Sequence, residues 1–230
     1  MILNESNKKN AVVVLIDSGI DGQKCNLDKY IGYSTTYKLG LNGKVIEDKN
    51  HILKHEHGTA ISMVIKSMCE DVEFICLNIL DENLQSDGRV LLHAMKKALV
   101  FKPDVIHCSL GTSSKKYWFS LSRYIWKARK QGTFIVAAKS NNGEISYPAH
   151  IRGVIKVAGS MKCNAEKLYY LENTFYAPFG LEGIEGNEEL VNASMAGNSI
   201  AAAYITGYIC NLKMQNKMNE IFSNTEMSYL

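Results

Sequence analysis

Val12-Val13-Val14-Leu15-Ile16-Asp17-Ser18-Gly19-Ile20-Asp21 is an apolar, largely β-branched run closed by a carboxylate, a hydroxyl and a glycine. An unbroken run of this kind reads as a strand buried on both faces, the signature of a parallel sheet. Its acid stands at the carboxyl end, the edge where open α/β sheets carry their ligands. Similar runs follow at Val72–Leu80, Asp104–Ser109, Phe134–Ala138 and Val154–Ala158. Helical patterns separate them at Thr59–Met68, Val90–Phe101 and Trp118–Gln131, and a last one starts near Ser199. This alternation predicts an α/β fold in three layers, a mostly parallel central sheet with helices on both faces. Right-handed crossovers bring Asp17 and Asn141, each just past a strand, to one edge. The stretch from Glu166 to Met195 shows neither period and is expected to wrap the surface without regular structure.

The chain has 230 residues, 46% of them hydrophobic and 21% charged, which suits one globular domain over residues 1–230. A net charge of +3 is too small to argue for nucleic acid or an anionic membrane surface as partner. The pairs and runs Lys115-Lys116 and Lys127-Ala128-Arg129-Lys130 read as solvated helix faces. No apolar stretch is long enough to cross a bilayer, and the polar segment Met1 to Asn10 contains no secretory apolar region. The expected location is therefore cytoplasmic. Six cysteines without paired spacing argue against a disulfide framework and against a zinc site. No cofactor is expected.

Three residue types with complementary chemistry stand at element edges: Asp17, then His57 in His57-Gly58-Thr59, then Ser199 in Gly197-Asn198-Ser199-Ile200-Ala201-Ala202-Ala203. Acid, base, hydroxyl is one of the chain orders in which catalytic triads occur. Taken singly, each residue also has a plain structural role. Asp17 suits a helix N-cap or turn. His57 suits a surface position at a helix start, or a His-x-His metal pair with His55. That pair lacks the third ligand zinc requires. Ser199 suits an N-cap and has a rival in Ser194. Asn141, followed by Asn142-Gly143, suits a turn after its strand.

Taken together these segments resemble the subtilisin-like serine proteases, from about Val12 to about Cys210. Ile16-Asp17-Ser18-Gly19 is similar to the family's Asp-Ser/Thr-Gly, and His57-Gly58-Thr59 to its base motif, although Ala60-Ile61-Ser62 departs from the usual continuation. Gly197 to Gly207 follows Gly-Thr-Ser-Met-Ala-Ala-Pro-His-Val-Ala-Gly in register, whereas a start at Ser194 puts Asn192 and Ala202 where glycines belong. Asn198 for threonine and Ala203 for proline are expected to be mild changes. Val136-Ala137-Ala138-Lys139-Ser140-Asn141-Asn142-Gly143 is similar to Val-Ala-Ala-Ala-Gly-Asn-x-Gly.

The resemblance implies a subtilisin-like fold with Asp17, His57 and Ser199 as a catalytic triad and Asn141 as side-chain donor to the oxyanion. His55 is then a bystander. It also implies that Ser109, Leu110 and Gly111 pair with a peptide or protein substrate, with Leu84 to Gly88 as the opposing edge. Ala138, Ser140 and Ser146 then stand near the pocket for the residue before the scissile bond. The Tyr147–Pro148 bond is expected to be cis. Tyr176-Ala177-Pro178 is similar to a further family segment, with Phe179 in place of glycine. Ser67 to Asp71 leaves little room for the calcium loop of secreted members, so no calcium is expected there and no metal elsewhere.

The function so implied is a serine endopeptidase; the small size and the missing targeting signals add the expectation that it processes a specific precursor or leader peptide. The alternative is a silent pseudoprotease that keeps the fold to bind peptides. A nucleotide-binding domain is disfavoured, because Asp17 to Gly22 carries too few glycines and two acids that repel phosphate. Oligomeric state is not legible in the sequence.

Overall fold

Alternation along the first strand sets the layers. In β1 (Ala11–Asp17), Ala11, Val13 and Leu15 face one core cluster while Val14 and Ile16 face another. The computed structural model describes residues 10–48, 53, 55–191 and 195–221. The remaining strands are β2 (Ile31–Leu39), β3 (Val45–Asp48), β4 (Val72–Asn78), β5 (Val105–Cys108), β6 (Phe134–Ala138), β7 (Ile155–Gly159), β8 (Tyr169–Leu171) and β9 (Thr174–Ala177). The helices are α1 (His57–Met68), α2 (Gly88–Ala98), α3 (Trp118–Lys130) and α4 (Asn198–Met214).

The sheet runs β3-β2-β4-β1-β5-β6-β7-β9-β8. Only the two edge pairs, β2 with β3 and β8 with β9, are antiparallel. Strand order reverses at β1, which pairs in parallel with β4 on one side and β5 on the other. The crevice at such a reversal is where this architecture binds ligands, and Asp17 ends β1 there. Helices α1 and α4 cover one face, and α2 and α3 the other. Helix α4 is apolar nearly all round because it is the central helix: every residue from Ile200 to Gly207 is buried.

The core strands and all four helices match the sequence reading to within two or three residues. The segment from Glu166 to Met195 does not. It contains β8 and β9, and it sends Phe175, Ala177, Leu181, Ile184 and Leu190 into the core beside α4. Residues Glu172 and Asn173, with φ of 48° and 58°, form the two-residue turn of that hairpin. Strands β2 and β3 were also not anticipated. The six cysteines are free of disulfides, and no helix among the described residues is long and apolar enough to cross a membrane.

Candidate functional site

The first two motifs are locked together by small polar groups. The Ser18 hydroxyl donates to the His55 carbonyl, 3.1 Å, and accepts from the Gly58 N–H, 3.0 Å. The Asp21 N–H donates to Thr59 Oγ1, 2.9 Å. A Cβ on Gly58 would lie 2.3 Å from the Gly19 carbonyl oxygen, so only glycine lets α1 start this close to the loop after β1. His55 is more than a bystander, because its Nδ1 accepts the His57 N–H at 3.0 Å and holds the first turn of α1.

This packing delivers the His57 imidazole between the other two groups. Its Nδ1 lies 2.9 and 3.0 Å from the two Asp17 carboxylate oxygens, and its Nε2 lies 2.9 Å from Ser199 Oγ. Asp17 is fully buried and accepts two further hydrogen bonds, from the Ser18 N–H at 2.7 Å and from the Ser109 hydroxyl. Ser199 stands half-buried in the first turn of α4, where backbone N–H groups have no partner within the helix. The rival Ser194 lies outside the described residues.

Burial alone would raise the Asp17 carboxyl, but the His57 charge and the hydrogen bonds from His57, Ser109 and Ser18 outweigh it and hold the group at about 2. For His57, burial pulls downward while the charge and hydrogen bond of Asp17 pull upward, and the partner wins: its pKa is raised above the ordinary value. A third titratable group, His107 in β5, is fully buried and neutral, pushed down to about 4 chiefly by desolvation. Its Nδ1 lies 2.8 Å from the Thr206 hydroxyl on α4, two turns beyond Ser199.

Asn141 follows β6 on the same edge. Its Oδ1 accepts the Asn198 N–H at 3.0 Å, which leaves the amide nitrogen as an unused donor beside Gly197. Gly197 has φ +150°, and a Cβ there would come within 3.3 Å of that nitrogen. The Asn198 side chain makes more of its place than a mild replacement for threonine would. Its Oδ1 accepts the Gly159 N–H at 2.8 Å, and its Nδ2 donates to the carbonyls of Lys139, 3.1 Å, and Ser140, 3.3 Å. It therefore ties the start of α4 to the ends of β6 and β7. Only the reach of an amide side chain makes this possible, and nothing in the local sequence announces it.

The remaining candidates form one wall. Ser109-Leu110-Gly111 continues β5 and Ala138-Lys139-Ser140 continues β6, and these strands are parallel neighbours with Cys108 opposite Ala137. Ala138 and Ser146 are buried, while Leu110 and Ser140 are half-buried and Gly111 is exposed. The Ser109 hydroxyl is turned away from this wall to Asp17, so any pairing with a peptide there falls to its backbone. Thr112 and Tyr147 exchange two backbone hydrogen bonds of 2.8 Å, which fastens Ser146 behind Gly111. The Tyr147–Pro148 bond is cis. Leu84 to Asp87 runs without regular structure into α2, which begins at Gly88. Between α1 and β4 only Cys69 to Asp71 intervene, and no three His, Cys, Asp or Glu side chains among the described residues group to hold a metal ion.

A mostly parallel sheet that joins an acid, an imidazole and a hydroxyl in chain order at its carboxyl edge has the arrangement of the subtilisin-like proteins. The chain belongs to the subtilase family, whose model matches residues 8–230. It is 26% identical over 212 residues to the minor extracellular protease Epr of Bacillus subtilis (strain 168). That match takes in 87% of the chain but only 29% of Epr, so the chain spans less than a third of its relative's length. Among solved structures it is similar in fold to the epidermin leader peptide processing serine protease EpiP of Staphylococcus aureus, with a TM-score of 0.68 and 17% identity, over 94% of this chain and 68% of that one. It is likewise similar to a lanthipeptide protease, with a TM-score of 0.66 and 17% identity, over 93% and 79% of the two chains.

Proposed function

We propose that this protein is a serine endopeptidase and that Asp17, His57 and Ser199 are its triad. The observation that carries the reading is the position of one imidazole, 2.9 Å from a buried carboxylate on one side and 2.9 Å from a hydroxyl on the other. Asp17 fixes the tautomer that carries a proton on Nδ1, leaving Nε2 to take the Ser199 proton as Oγ attacks the scissile carbonyl. The carbonyl electron pair moves onto its oxygen, and the Ser199 N–H and the Asn141 amide are the donors that receive it. His57 then hands the proton to the leaving amine. Water, deprotonated by the same imidazole, releases the acyl group from Ser199.

The substrate side of the proposal is a defined precursor peptide, cut at its leader. It is supported by the fold shared with a protein named as a leader peptide processing serine protease and with one named as a lanthipeptide protease. Action in the cytoplasm belongs to the same proposal and fits six cysteines that form no disulfide. A fluorophosphonate probe tests the chemistry. Labelling of the wild type that is lost in Ser199→Ala supports the enzyme, and absence of labelling in folded wild type makes the chain a peptide-binding pseudoprotease instead. Turnover should fall by about 10⁶ in Ser199→Ala, the loss typical of this nucleophile in subtilisin. Candidate precursors test the substrate class, and indiscriminate digestion of casein counts against a single defined target.

A further inference from the structure

A second concave site lies at the opposite edge of the sheet, around the amino ends of β6 and β7. It is a groove of about 690 Å³. Three cations line it from three separate elements: Arg129 in the last turn of α3, Arg152 in the loop between β6 and β7, and Lys156 in β7. No carboxylate among the described residues lines it. Among the described residues none of the three cations has an ion-pair or hydrogen-bond partner. The Arg129 side chain is laid over Gly153, whose position would bring a Cβ to 2.7 Å from its Cδ and 2.8 Å from a guanidinium nitrogen. That contact holds the charge at the rim of the groove instead of leaving it on the solvated helix face expected from the sequence.

We propose that this groove binds an acidic segment of the peptide substrate at a distance from the scissile bond. The identification of the occupant as substrate rests on the peptidase reading above; the groove itself does not. Distributed cations suit carboxylates spaced along an extended chain. A phosphate group would call for donors converging on one point, as at a glycine-rich turn before a helix, and the groove has none. The groove also shares a backbone segment with the cleft. Ser146 and Tyr147 back the substrate wall, and the chain runs from them through His150, whose Nδ1 bonds the Ser146 carbonyl at 3.0 Å, to Arg152 and Gly153. Strand β6 has five residues, so the two edges are about 17 Å apart along the strand at ~3.3 Å per residue. A spacer of about ten extended residues reaches around that distance.

Fluorescein-labelled hexaglutamate and hexaglutamine, titrated against the full chain by anisotropy at low salt, test the groove directly. Hexaglutamate should bind, hexaglutamine should not, and binding should weaken at 0.5 M salt as screening shortens the range of the charges. Arg152→Gln with Lys156→Gln, which leaves the Arg129 packing intact, should weaken hexaglutamate about tenfold, a typical sum for two exposed charge pairs. Ser199→Ala should bind it as tightly as wild type. Equal binding by the double variant, or displacement of hexaglutamate by inorganic triphosphate at far lower concentration, overturns the proposal.

A pair of cleavable peptides then tests the link to catalysis, each carrying six glutamates beyond a ten-residue spacer on one side of the scissile bond. At least one should show a several-fold lower KM than its glutamine counterpart, with kcat unchanged, and the double variant should abolish the difference while cleaving an unextended peptide normally. Failure of both extensions, in protein that the fluorophosphonate probe still labels, refutes the substrate role without touching the triad.

Discussion

Asn198→Ala removes a side chain that joins three elements and leaves the backbone of α4 in place. Three hydrogen bonds are lost, to the Gly159 N–H at 2.8 Å and to the carbonyls of Lys139 and Ser140 at 3.1 and 3.3 Å. Each is worth about 0.5–1.5 kcal/mol net, and the partly exposed partners regain some of it from water. The expected loss of stability is therefore about 2 kcal/mol, or roughly 4–8 °C in Tm for a chain of this size. The effect on chemistry is argued separately. The Asn198 N–H orients Asn141 through its Oδ1 at 3.0 Å, and with the side-chain ties gone that N–H is no longer held against the end of β6.

Complete removal of one oxyanion donor costs about 10²–10³ in turnover. Loosening one should cost about ten- to a hundredfold in kcat, with KM changed less than about twofold, since the donor acts on the transition state. Asn198→Thr, which keeps a short hydrogen-bonding group, should fall between wild type and alanine. The decisive assay is a double-mutant cycle with Asn141→Ala, read as single-turnover rates on one peptide. In the Asn141→Ala background, Asn198→Ala should cost almost nothing more, because the donor it positions is already gone. Independent, multiplying losses, or a folded Asn198→Ala protein with wild-type kcat, would refute the positioning argument.

The pH dependence follows from the buried pair. In the proposed mechanism His57 acts as a base only when neutral, and its pKa is raised above 6.5 because Asp17 outweighs burial. The kcat/KM of the wild type should therefore rise with pH through a midpoint above 6.5 and be lost below it. Asp17→Asn removes the upward pull, so the residual activity, lower by about 10⁴, should titrate at a lower midpoint than wild type; an unchanged midpoint contradicts the pairing. Ser109→Ala strips a donor from the Asp17 carboxylate, and a hydrogen bond to a charged group is worth about 1.5–3 kcal/mol. Turnover should drop roughly tenfold or more, with little change in KM, and a rise in KM alone would return Ser109 to substrate binding. Gly58→Ala forces a methyl to 2.3 Å from the Gly19 carbonyl oxygen. Separation of the two motifs should cost about 2 kcal/mol or more, and so about 4–8 °C in Tm, measured by thermal unfolding.

The chain itself determined the central sheet and the helices that cover it. Strands β1, β5 and β6 are buried along almost their whole length, and β4 and β7 carry only one charged residue each, Glu73 and Lys156, so their codes are short, largely apolar runs that need little context to read. The three residues of the proposed triad stood out for a related reason. Each member sits within a short local motif whose glycines and small residues are dictated by the close approach of backbone to backbone. Edge strands carry no such signature: β2, Ile31-Gly32-Tyr33-Ser34-Thr35-Thr36-Tyr37-Lys38-Leu39, mixes exposed and buried positions without strict alternation. The hairpin β8–β9 offered one missed clue, the Glu172-Asn173 pair between aromatic runs, a two-residue turn with both residues in left-handed conformation.

Tertiary structure alone decided what depends on residues distant in the chain. The tie from Asn198 to Gly159, Lys139 and Ser140, the turn of the Ser109 hydroxyl toward Asp17, and the grouping of Arg129, Arg152 and Lys156 around one groove are of this kind. Hydrogen bonds and charges act over a few ångströms in space, and a sequence lists neighbours only along the chain. Where a partner lies dozens of residues away, folding has to supply it.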